Sequence, residues 1–273
     1  MKQYLELIDR VVKYGNLEEH DRTGVGTLNL FSEKMVFDLS TGKFPLLTTK
    51  KVFFRGVIEE LLFFLHTDGY SIDYLVDRNI HIWDAWPPSR ESGKFIPYAR
   101  FWRHYPKFNS KNEYIGEVDQ IGEMIKLIKE EPSSRRIIVD SWNAGLNHDA
   151  VLTACHNFFQ IYVRGEYLDM NLSVRSNDLF LGCPFNIASY SLLLMMIAQV
   201  TGKKPGKLYY NIGIAHVYLN HTEQINEQLT REPRELPVVK INPGVTSIDV
   251  FKIDDFELVG YNPWPAIKGE VAV

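Results

Sequence analysis

Residues 152–190 read LTACHNFFQIYVRGEYLDMNLSVRSNDLFLGCPFNIASY, and this stretch decides the fold. Its runs 157–163 and 167–174 are rich in β-branched and aromatic residues, and Arg164-Gly165-Glu166 between them is typical of a turn. We therefore expect two strands joined as a hairpin. The break at Gly182-Cys183-Pro184 then opens an apolar helix.

Side chains of very different chemistry gather at the ends of these elements. Cys155 directly precedes the first predicted strand, Arg175, Ser176 and Asp178 follow the second, and Asn186 lies near the start of the helix. Functional groups are often placed where a rigid element ends. A thiol, a guanidinium, a hydroxyl, a carboxylate and an amide at such positions indicate a site rather than a core.

Cys155 and His156 are adjacent, which suggests a nucleophile with its base, as in a Cys-His hydrolase. Successive side chains of a strand point to opposite faces, so His156 is not expected to deprotonate Cys155 directly. A nearby arginine would lower the pKa of the thiol instead. A lone cysteine is more often a small buried apolar residue, but these polar neighbours favour a reactive thiol.

The composition sets broad limits. A chain of 273 residues with 45% hydrophobic content fits one large α/β domain or two small ones. No linker marks a boundary, so we expect a single domain, 1–273, in which the Pro/Ser/Gly-containing loop from Pro87 belongs to a small lobe at about 87–117. The net charge of −4, with both signs interspersed, gives no basic footprint for a nucleic acid polymer. Two cysteines, Cys155 and Cys183, are too few for a disulfide framework or a zinc site, so we expect no metal.

No membrane partner is expected either. The N-terminal sequence MKQYLELIDRVV lacks the apolar core of a signal peptide. The most apolar helix, predicted over 187–200, is too short to span a bilayer. These features predict a soluble cytoplasmic protein.

The rest of the chain alternates helical and extended patterns, which predicts an α/β (α+β) fold. An apolar stripe at helical spacing begins at Tyr4, and Gly15-Asn16 ends that helix. The other predicted helices are around 56–66, 118–128 and 222–229. The other predicted strands are two within 28–39, then 137–142, 209–218, 237–241 and 256–259.

Three patterns in order resemble the thymidylate synthase family. They are CH-x-x-F-Q-x-Y-V from Cys155, RS-x-D-x-F-LG-x-PFNIASY from Arg175, and H-x-Y-x-NH from His216. The resemblance spans nearly the whole chain. It implies a large mixed β-sheet flanked by helices, with one sheet face at the interface of an obligate homodimer. It also implies dUMP as substrate and 5,10-methylenetetrahydrofolate as co-substrate.

The resemblance implies a role for each candidate site residue. Cys155 would add to C6 of uracil, Glu60 would move protons, and Asn186 would pair with O4 and N3–H. The other implied catalytic residues are Asp178, which would also read the pterin, Tyr98 and His156. The implied substrate ligands are Arg22, Arg135, Arg136, Arg175, Ser176, Asn186, His216 and Tyr218. The implied folate ligands are Trp83, Ile82, Asp178, Leu181, Gly182, Phe185, Lys50 and Val273.

Several of these residues also have ordinary interpretations. Glu60 would by default be a solvated carboxylate, although a position against an apolar stripe would raise its pKa towards neutrality, as proton shuttling requires. Trp83 is a common type of core residue. Arg135 and Arg136 would usually be solvated, but the family uses this pair on the substrate phosphate of the other subunit, and arginine binds phosphate bidentately.

Three segments depart from the synthase pattern. Ala154-Cys155-His156, Val174-Arg175-Ser176 and Gly213-Ile214-Ala215-His216 stand where synthases have Pro-Cys-His, Gln-Arg-Ser and Gly-Asp-x-His. Phage deoxycytidylate hydroxymethylases also lack that Gln and Asp. We therefore expect 5-hydroxymethyl-dUMP as product and a phage-type enzyme, a viral protein acting in the host cytoplasm.

Two alternatives remain open. Trp83 and the tail Val271-Ala272-Val273 match synthases, which make dTMP and dihydrofolate and whose tail closes over the folate. A catalytically inactive relative with a binding or RNA-regulatory role is disfavoured by the intact Cys155, Glu60 and arginines.

Overall fold

A computed structural model describes residues 1–19 and 23–271. Its largest element is a mixed six-stranded sheet in which only β7 and β8 are parallel neighbours. In spatial order its strands are β1 (Asn16–Glu18), β2 (Thr27–Asp38), β8 (Lys204–Tyr218), β7 (Tyr167–Asp178), β6 (His156–Arg164) and β5 (Ile138–Asp140). This sheet confirms the predicted fold class.

Helices flank the sheet, and two small hairpins lie outside it. The helices are α1 (Lys2–Tyr14), α2 (Phe54–His66), α3 (Asp73–Val76), α4 (Pro97–Arg103), α5 (Gln120–Glu130), α6 (Gly182–Val200) and α7 (Thr222–Leu229). The hairpins are β3 (Tyr105–Phe108) with β4 (Tyr114–Val118), and β9 (Val238–Ile241) with β10 (Phe256–Val259). The first hairpin falls within the predicted small lobe.

The hairpin predicted from residues 152–190 is present. Arg164 of β6 pairs with Tyr167 of β7, so Gly165 and Glu166 form the tight turn. Gly165 has a φ of 62°, in the left-handed region that glycine adopts without steric cost. The chain then returns through α6 to the parallel strand β8, as a strand–helix–strand crossover.

Helix α6 is longer than predicted, because it begins at Gly182 and has 19 residues. Pro184 does not interrupt it, because N–H groups in the first turn of a helix have no acceptor within the helix. The N–H that proline lacks therefore costs no hydrogen bond there. By length and composition it would be able to cross a membrane, but 78% of its apolar window is buried inside the protein. Such all-round apolarity fits a core helix.

Several predicted boundaries were wrong. The two strands expected within 28–39 form the single strand β2, in which Ser32 has a φ of 64°. Arg175, Ser176 and Asp178 do not follow β7 but lie inside it. Val118 ends β4 and does not belong to α5. Alternation alone cannot locate such ends, because the pairing with neighbouring strands sets them.

The buried side of the sheet changes partway along β7 and β8. On β8 the buried positions are Tyr210 and Ile212 and then Ala215, while on β7 they are Val174 and then Asn177. Both strands reverse their side-chain alternation here without a change of register between them. Val174 pairs with Ile212 and Asn177 with Ala215, so the two changes coincide. They bring the polar Asn177 to the side that α6 covers.

Candidate active site

Cys155 lies just before β6, half-buried, beside a guanidinium. Its Sγ is 3.9 Å from Nη2 of Arg175. The same guanidinium donates to the carbonyls of Ala154 at 2.8 Å and Thr153 at 2.9 Å, which fixes it against the loop that carries the thiol. A neighbouring cation favours the thiolate, the nucleophilic form of cysteine.

The backbone of Cys155 is held from two sides. Its N–H donates to the hydroxyl oxygen of Tyr98 on α4 at 2.8 Å. Its carbonyl accepts from the N–H of Arg175 on β7, also at 2.8 Å. Tyr98 is buried and on a helix, so it gives the nucleophile a rigid support.

His156 is buried and directed into the core. Its Nδ1 lies 2.6 Å from the hydroxyl of Tyr190 on α6, and its ring stacks on Tyr98 with centroids 3.8 Å apart. Burial lowers the pKa of the His156 imidazole to about 3, so the ring is neutral at physiological pH. These contacts agree with the opposite-face expectation for Cys155 and His156.

Glu60 lies on α2, which is buried along nearly its whole length. Only 8% of Glu60 is exposed, and its Oε1 accepts a hydrogen bond of 2.8 Å from Nε1 of Trp83. Burial raises the pKa of the Glu60 carboxyl to about 7, and the Trp83 hydrogen bond opposes this only in part. The carboxyl can therefore both give and take a proton near neutral pH.

Trp83 is itself a core residue in this structure. It is 6% exposed and packs near Phe64, Trp86 and Tyr98. Trp83 can be both a core residue and part of the site, because its indole N–H reaches Glu60 from within the core.

Asn186 is half-buried in the first turns of α6. Its Oδ1 accepts a hydrogen bond of 3.1 Å from Nδ2 of Asn177, whose own Oδ1 accepts one of 2.7 Å from the Tyr210 hydroxyl. Within the described residues, Nδ2 of Asn186 has no hydrogen-bond partner. An amide donor is thus left for a ligand.

Five of the predicted folate residues, Lys50, Asp178, Leu181, Gly182 and Phe185, lie at or beside the start of α6. The two carboxylate oxygens of Asp178 accept from the N–H groups of Phe180 at 2.9 Å and Leu181 at 3.2 Å. Buried Lys50 donates to the Phe180 carbonyl and lies 3.4 Å from the centre of its ring. Burial lowers the pKa of the Lys50 ammonium to about 8. The predicted folate residues that are half-buried are Ile82, Asp178, Leu181, Gly182 and Phe185.

Ser176 and His216 meet where β7 and β8 end side by side. Oγ of Ser176 lies 3.4 Å from Nδ1 of His216, and the His216 ring meets the Tyr218 ring edge-on at 5.1 Å. A hydroxyl, an imidazole and a phenol at one edge of the sheet suit recognition of sugar or phosphate oxygens.

Arg135 and Arg136 lie just before β5, fully on the surface. Neither forms an ion pair with any residue in 1–19 or 23–271. Arg22 and Val273, also predicted as ligands, lie outside the described residues.

Three residues next to the site were not predicted. Asn177 and Tyr210 contact Asn186 in a chain, and Tyr190 contacts His156. Asn177 follows Ser176 in a polar run within a strand, which is a weak signal. Tyr190 and Tyr210 look like ordinary core aromatics in sequence.

Among the described residues, no group of three or more His, Cys, Asp or Glu could hold a metal ion. The sequence was also compared with protein families. Residues 2–273, nearly the whole chain, match the family model described as Thymidylate synthase.

Proposed function

This chain belongs to the thymidylate synthase family, and from that premise we propose that it transfers a one-carbon unit to C5 of dUMP through a covalent bond to Cys155. Membership supports an enzyme that transfers one-carbon units with methylenetetrahydrofolate as co-substrate. The observation that carries the proposal is the Cys155 thiol beside Arg175, with its backbone fixed by Tyr98.

Cys155 supplies the first step. Uracil C5 is a poor nucleophile, and addition of the thiolate to C6 pushes the electrons of the C5–C6 double bond towards C5 and O4. Covalent catalysis of this kind divides one difficult step into two easier ones. The one-carbon unit, which the folate supplies when bound, is then attached at C5. Loss of the C5 proton then expels tetrahydrofolate and leaves a methylene group on C5. Addition of water or hydride to this methylene, followed by loss of the Cys155 thiolate from C6, restores the ring.

Glu60 is the proton shuttle. With a pKa of about 7, both protonation states are populated near neutral pH. Its carboxyl would protonate O4 through water as charge develops there and take a proton back when the adduct breaks down. Trp83 holds one oxygen of this carboxyl in place by a 2.8 Å hydrogen bond.

Asn186 selects the base. Uracil presents a carbonyl acceptor at O4 and a donor at N3–H, which an amide matches with its N–H and its oxygen. Cytosine presents the reverse pattern at the same two positions. The unpaired Nδ2 of Asn186 supports uracil recognition, and family members bind dUMP.

The remaining residues would bind the ends of the two substrates. Arg22, Arg175 and Ser176 would take the nucleotide phosphate with the partner subunit's Arg135 and Arg136, while His216 and Tyr218 would take the sugar hydroxyl. The surroundings of Asp178 fit a folate, because half-buried apolar residues suit a flat ring and buried Lys50 suits a negative charge. Trp83, Ile82, Leu181, Gly182, Phe185 and Val273 complete that assignment.

Subunit pairing is part of the proposal, since family members act as dimers. The outer face of the sheet exposes large apolar side chains, with Phe31 79%, Tyr162 64% and Ile214 42% exposed. Phe31 and Ile214 lie opposite each other on β2 and β8. Exposed apolar groups on one sheet face support an interface there. We also propose one catalytic domain, 1–273, that works in the cytoplasm.

For the last step we propose addition of water, giving 5-hydroxymethyl-dUMP and tetrahydrofolate. Val174 lies directly opposite His156, and Ile214 lies directly opposite Ser176, so each apolar replacement is next to a site residue. Removing a fixed amide and a carboxylate from these places loosens the hydrogen-bonded surroundings. Hydride transfer needs the tighter reactant geometry, so loosening favours water.

A specific observation favours the second candidate, reductive methylation to dTMP. The carbonyl of Glu270 accepts a 2.8 Å hydrogen bond from Nε2 of the buried His221, so the chain lies against the protein as far as Glu270. Such an anchor just before the C-terminal residues would suit a tail that closes and excludes water, as hydride transfer and release of dihydrofolate require.

One incubation separates the two products. Protein, dUMP and methylenetetrahydrofolate are mixed, and the nucleotide is analysed by mass spectrometry while absorbance follows dihydrofolate. Gain of a CH2OH group without dihydrofolate supports the proposal. Stoichiometric dTMP and dihydrofolate would establish a synthase, and an unchanged nucleotide would contradict both.

A further inference from the structure

A chain of buried polar groups leads from the core to the Asn186 amide. The Tyr210 hydroxyl donates to Oδ1 of Asn177 at 2.7 Å, and Nδ2 of Asn177 donates to Oδ1 of Asn186 at 3.1 Å. Tyr210 is 0% and Asn177 is 3% exposed. Water cannot replace these partners freely, so each hydrogen bond constrains the next.

The groups at the inner end of this hydrogen-bonded chain decide which partner donates in each hydrogen bond. Burial raises the pKa of the Tyr210 phenol well above its usual value, so the hydroxyl keeps its proton and has one hydrogen bond to donate. Burial also raises the pKa of the Cys183 thiol, a neighbour of the same hydroxyl, so that thiol stays protonated too. Sulfur is a weak acceptor, so the better acceptor for the Tyr210 hydroxyl is Oδ1 of Asn177, 2.7 Å away.

Asn177 transmits this direction. If its amide rotated by 180°, two oxygens would face each other at Asn186, unless Asn186 rotated as well. Rotating both would leave Tyr210 with only the Cys183 sulfur to receive its proton. Buried donors and acceptors that lose their partners are costly. The amide of Asn186 is therefore held with Oδ1 towards Asn177.

We propose that Asn177 and Tyr210 are positioning residues that set base specificity by fixing the amide orientation of Asn186. This inference rests on the proposed function, in which Asn186 reads the pyrimidine. Held in this orientation, Asn186 offers a donor to O4 and a lone pair to N3–H. A freely rotating Asn186 would also match cytosine, because reversal exchanges its donor and acceptor.

The test measures the dissociation constants of dUMP and dCMP by calorimetry for the full-length protein and three variants. Asn177→Ala removes the group that holds Asn186, and we expect the preference for dUMP over dCMP to fall by about 10- to 100-fold. Tyr210→Phe keeps the ring and removes only its hydroxyl, so a smaller fall in the same direction is expected. The control is Ser191→Ala, a buried hydroxyl on the same helix outside the chain.

The ratio of the two constants identifies the role. If Asn177 only supported the fold, its loss would weaken both nucleotides alike, and an unchanged ratio in Asn177→Ala and Tyr210→Phe would overturn the inference. An equal fall in Ser191→Ala would overturn it too. A wild-type protein that prefers dCMP, or binds neither nucleotide, would refute the proposed substrate and this inference with it. If Asn177→Ala does not fold, Tyr210→Phe gives the same readout.

Discussion

Glu60 and Arg136 represent two halves of the candidate site, which differ in how far their ionisable groups are exposed to water. The inner half, defined by Glu60, Trp83, Tyr98, His156 and Tyr190, is almost fully buried. There burial raises the pKa of Glu60 to about 7 and lowers that of His156 to about 3, so both residues tend towards neutrality. The outer half, Arg135 and Arg136, is exposed and has no acidic partner among the described residues.

This difference explains how one site can both transfer protons and bind an anion. Removing a carboxyl from water disfavours its charged form, so burial produces a proton shuttle. Solvated guanidinium groups keep their charge at little cost and remain available for an anion. Chemistry is therefore expected to fail when the inner half is altered, and affinity when the outer half is altered.

Cys155→Ser should have the largest effect, because the Cys155 sulfur forms the proposed covalent bond to the nucleotide. We expect kcat to fall on the order of 10,000-fold or more, as for other lost nucleophiles. Quenched protein should also lose the mass increase of the covalent nucleotide. Alkylation gives an internal control, since Cys183 is buried and burial raises its pKa. Labelling of Cys183 as fast as Cys155 would contradict the assignment.

Glu60→Gln should come next and should act on chemistry rather than affinity. We expect kcat to fall by about 100- to 10,000-fold, with little change in the KM for dUMP. In the wild type, kcat plotted against pH should bend near pH 7, where the Glu60 carboxyl titrates. The variant should lack that bend. An identical bend in Glu60→Gln would assign it to another group.

The same carboxyl should make stability depend on pH. The pKa of Glu60 is raised from 4.5 to about 7, so between these values the folded protein binds more protons than the unfolded chain. The free energy of unfolding therefore falls as pH rises through that window. Near pH 8, Glu60→Gln should be about 3 kcal/mol more stable than the wild type, and below pH 4.5 the difference should vanish. Urea unfolding of both proteins across this range measures it; a constant difference would show that Glu60 is not shifted.

Arg136→Ala tests the outer half and should have the smallest effect. Losing charge-assisted hydrogen bonds to a phosphate should raise the KM for dUMP about 10- to 100-fold, with a much smaller change in kcat. Arg90→Ala is a matched control, because Arg90 is an exposed arginine already paired with Asp68. A large fall in kcat with unchanged KM would remove the distinction between the halves.

Mixed dimers sharpen this test. If Arg136 serves the partner subunit's site, a mixture of Arg136→Ala and Cys155→Ala proteins, assayed at dUMP well below the raised KM, should be more active than the two variants measured separately and summed. One site of each hybrid would then have both an intact thiol and an intact arginine. No recovery, once subunit exchange has been demonstrated, would place Arg136 in its own subunit's site or outside it.

Local sequence patterns predicted only those features of the site that depend on neighbouring residues. The turn at Gly165 and the strands beside it followed from residue type and alternation, and strand geometry separated Cys155 from His156. The C-terminal end of β7 and the start of α6 were misplaced because they depend on pairing and packing with distant segments. The resemblance named Glu60 and Asn186, but it did not indicate what holds either of them.

By itself, the sequence determined the family, the hairpin, the apolar helix after it and the types of side chain available for chemistry. Only the tertiary structure decided which partners those side chains meet. Tyr190 meets His156 across 34 positions of sequence and Tyr210 meets Asn177 across 33, and no short-range pattern encodes such pairs. The protonation of Glu60 was decided there too, because a pKa depends on the water and charges around a group, and folding alone determines those surroundings.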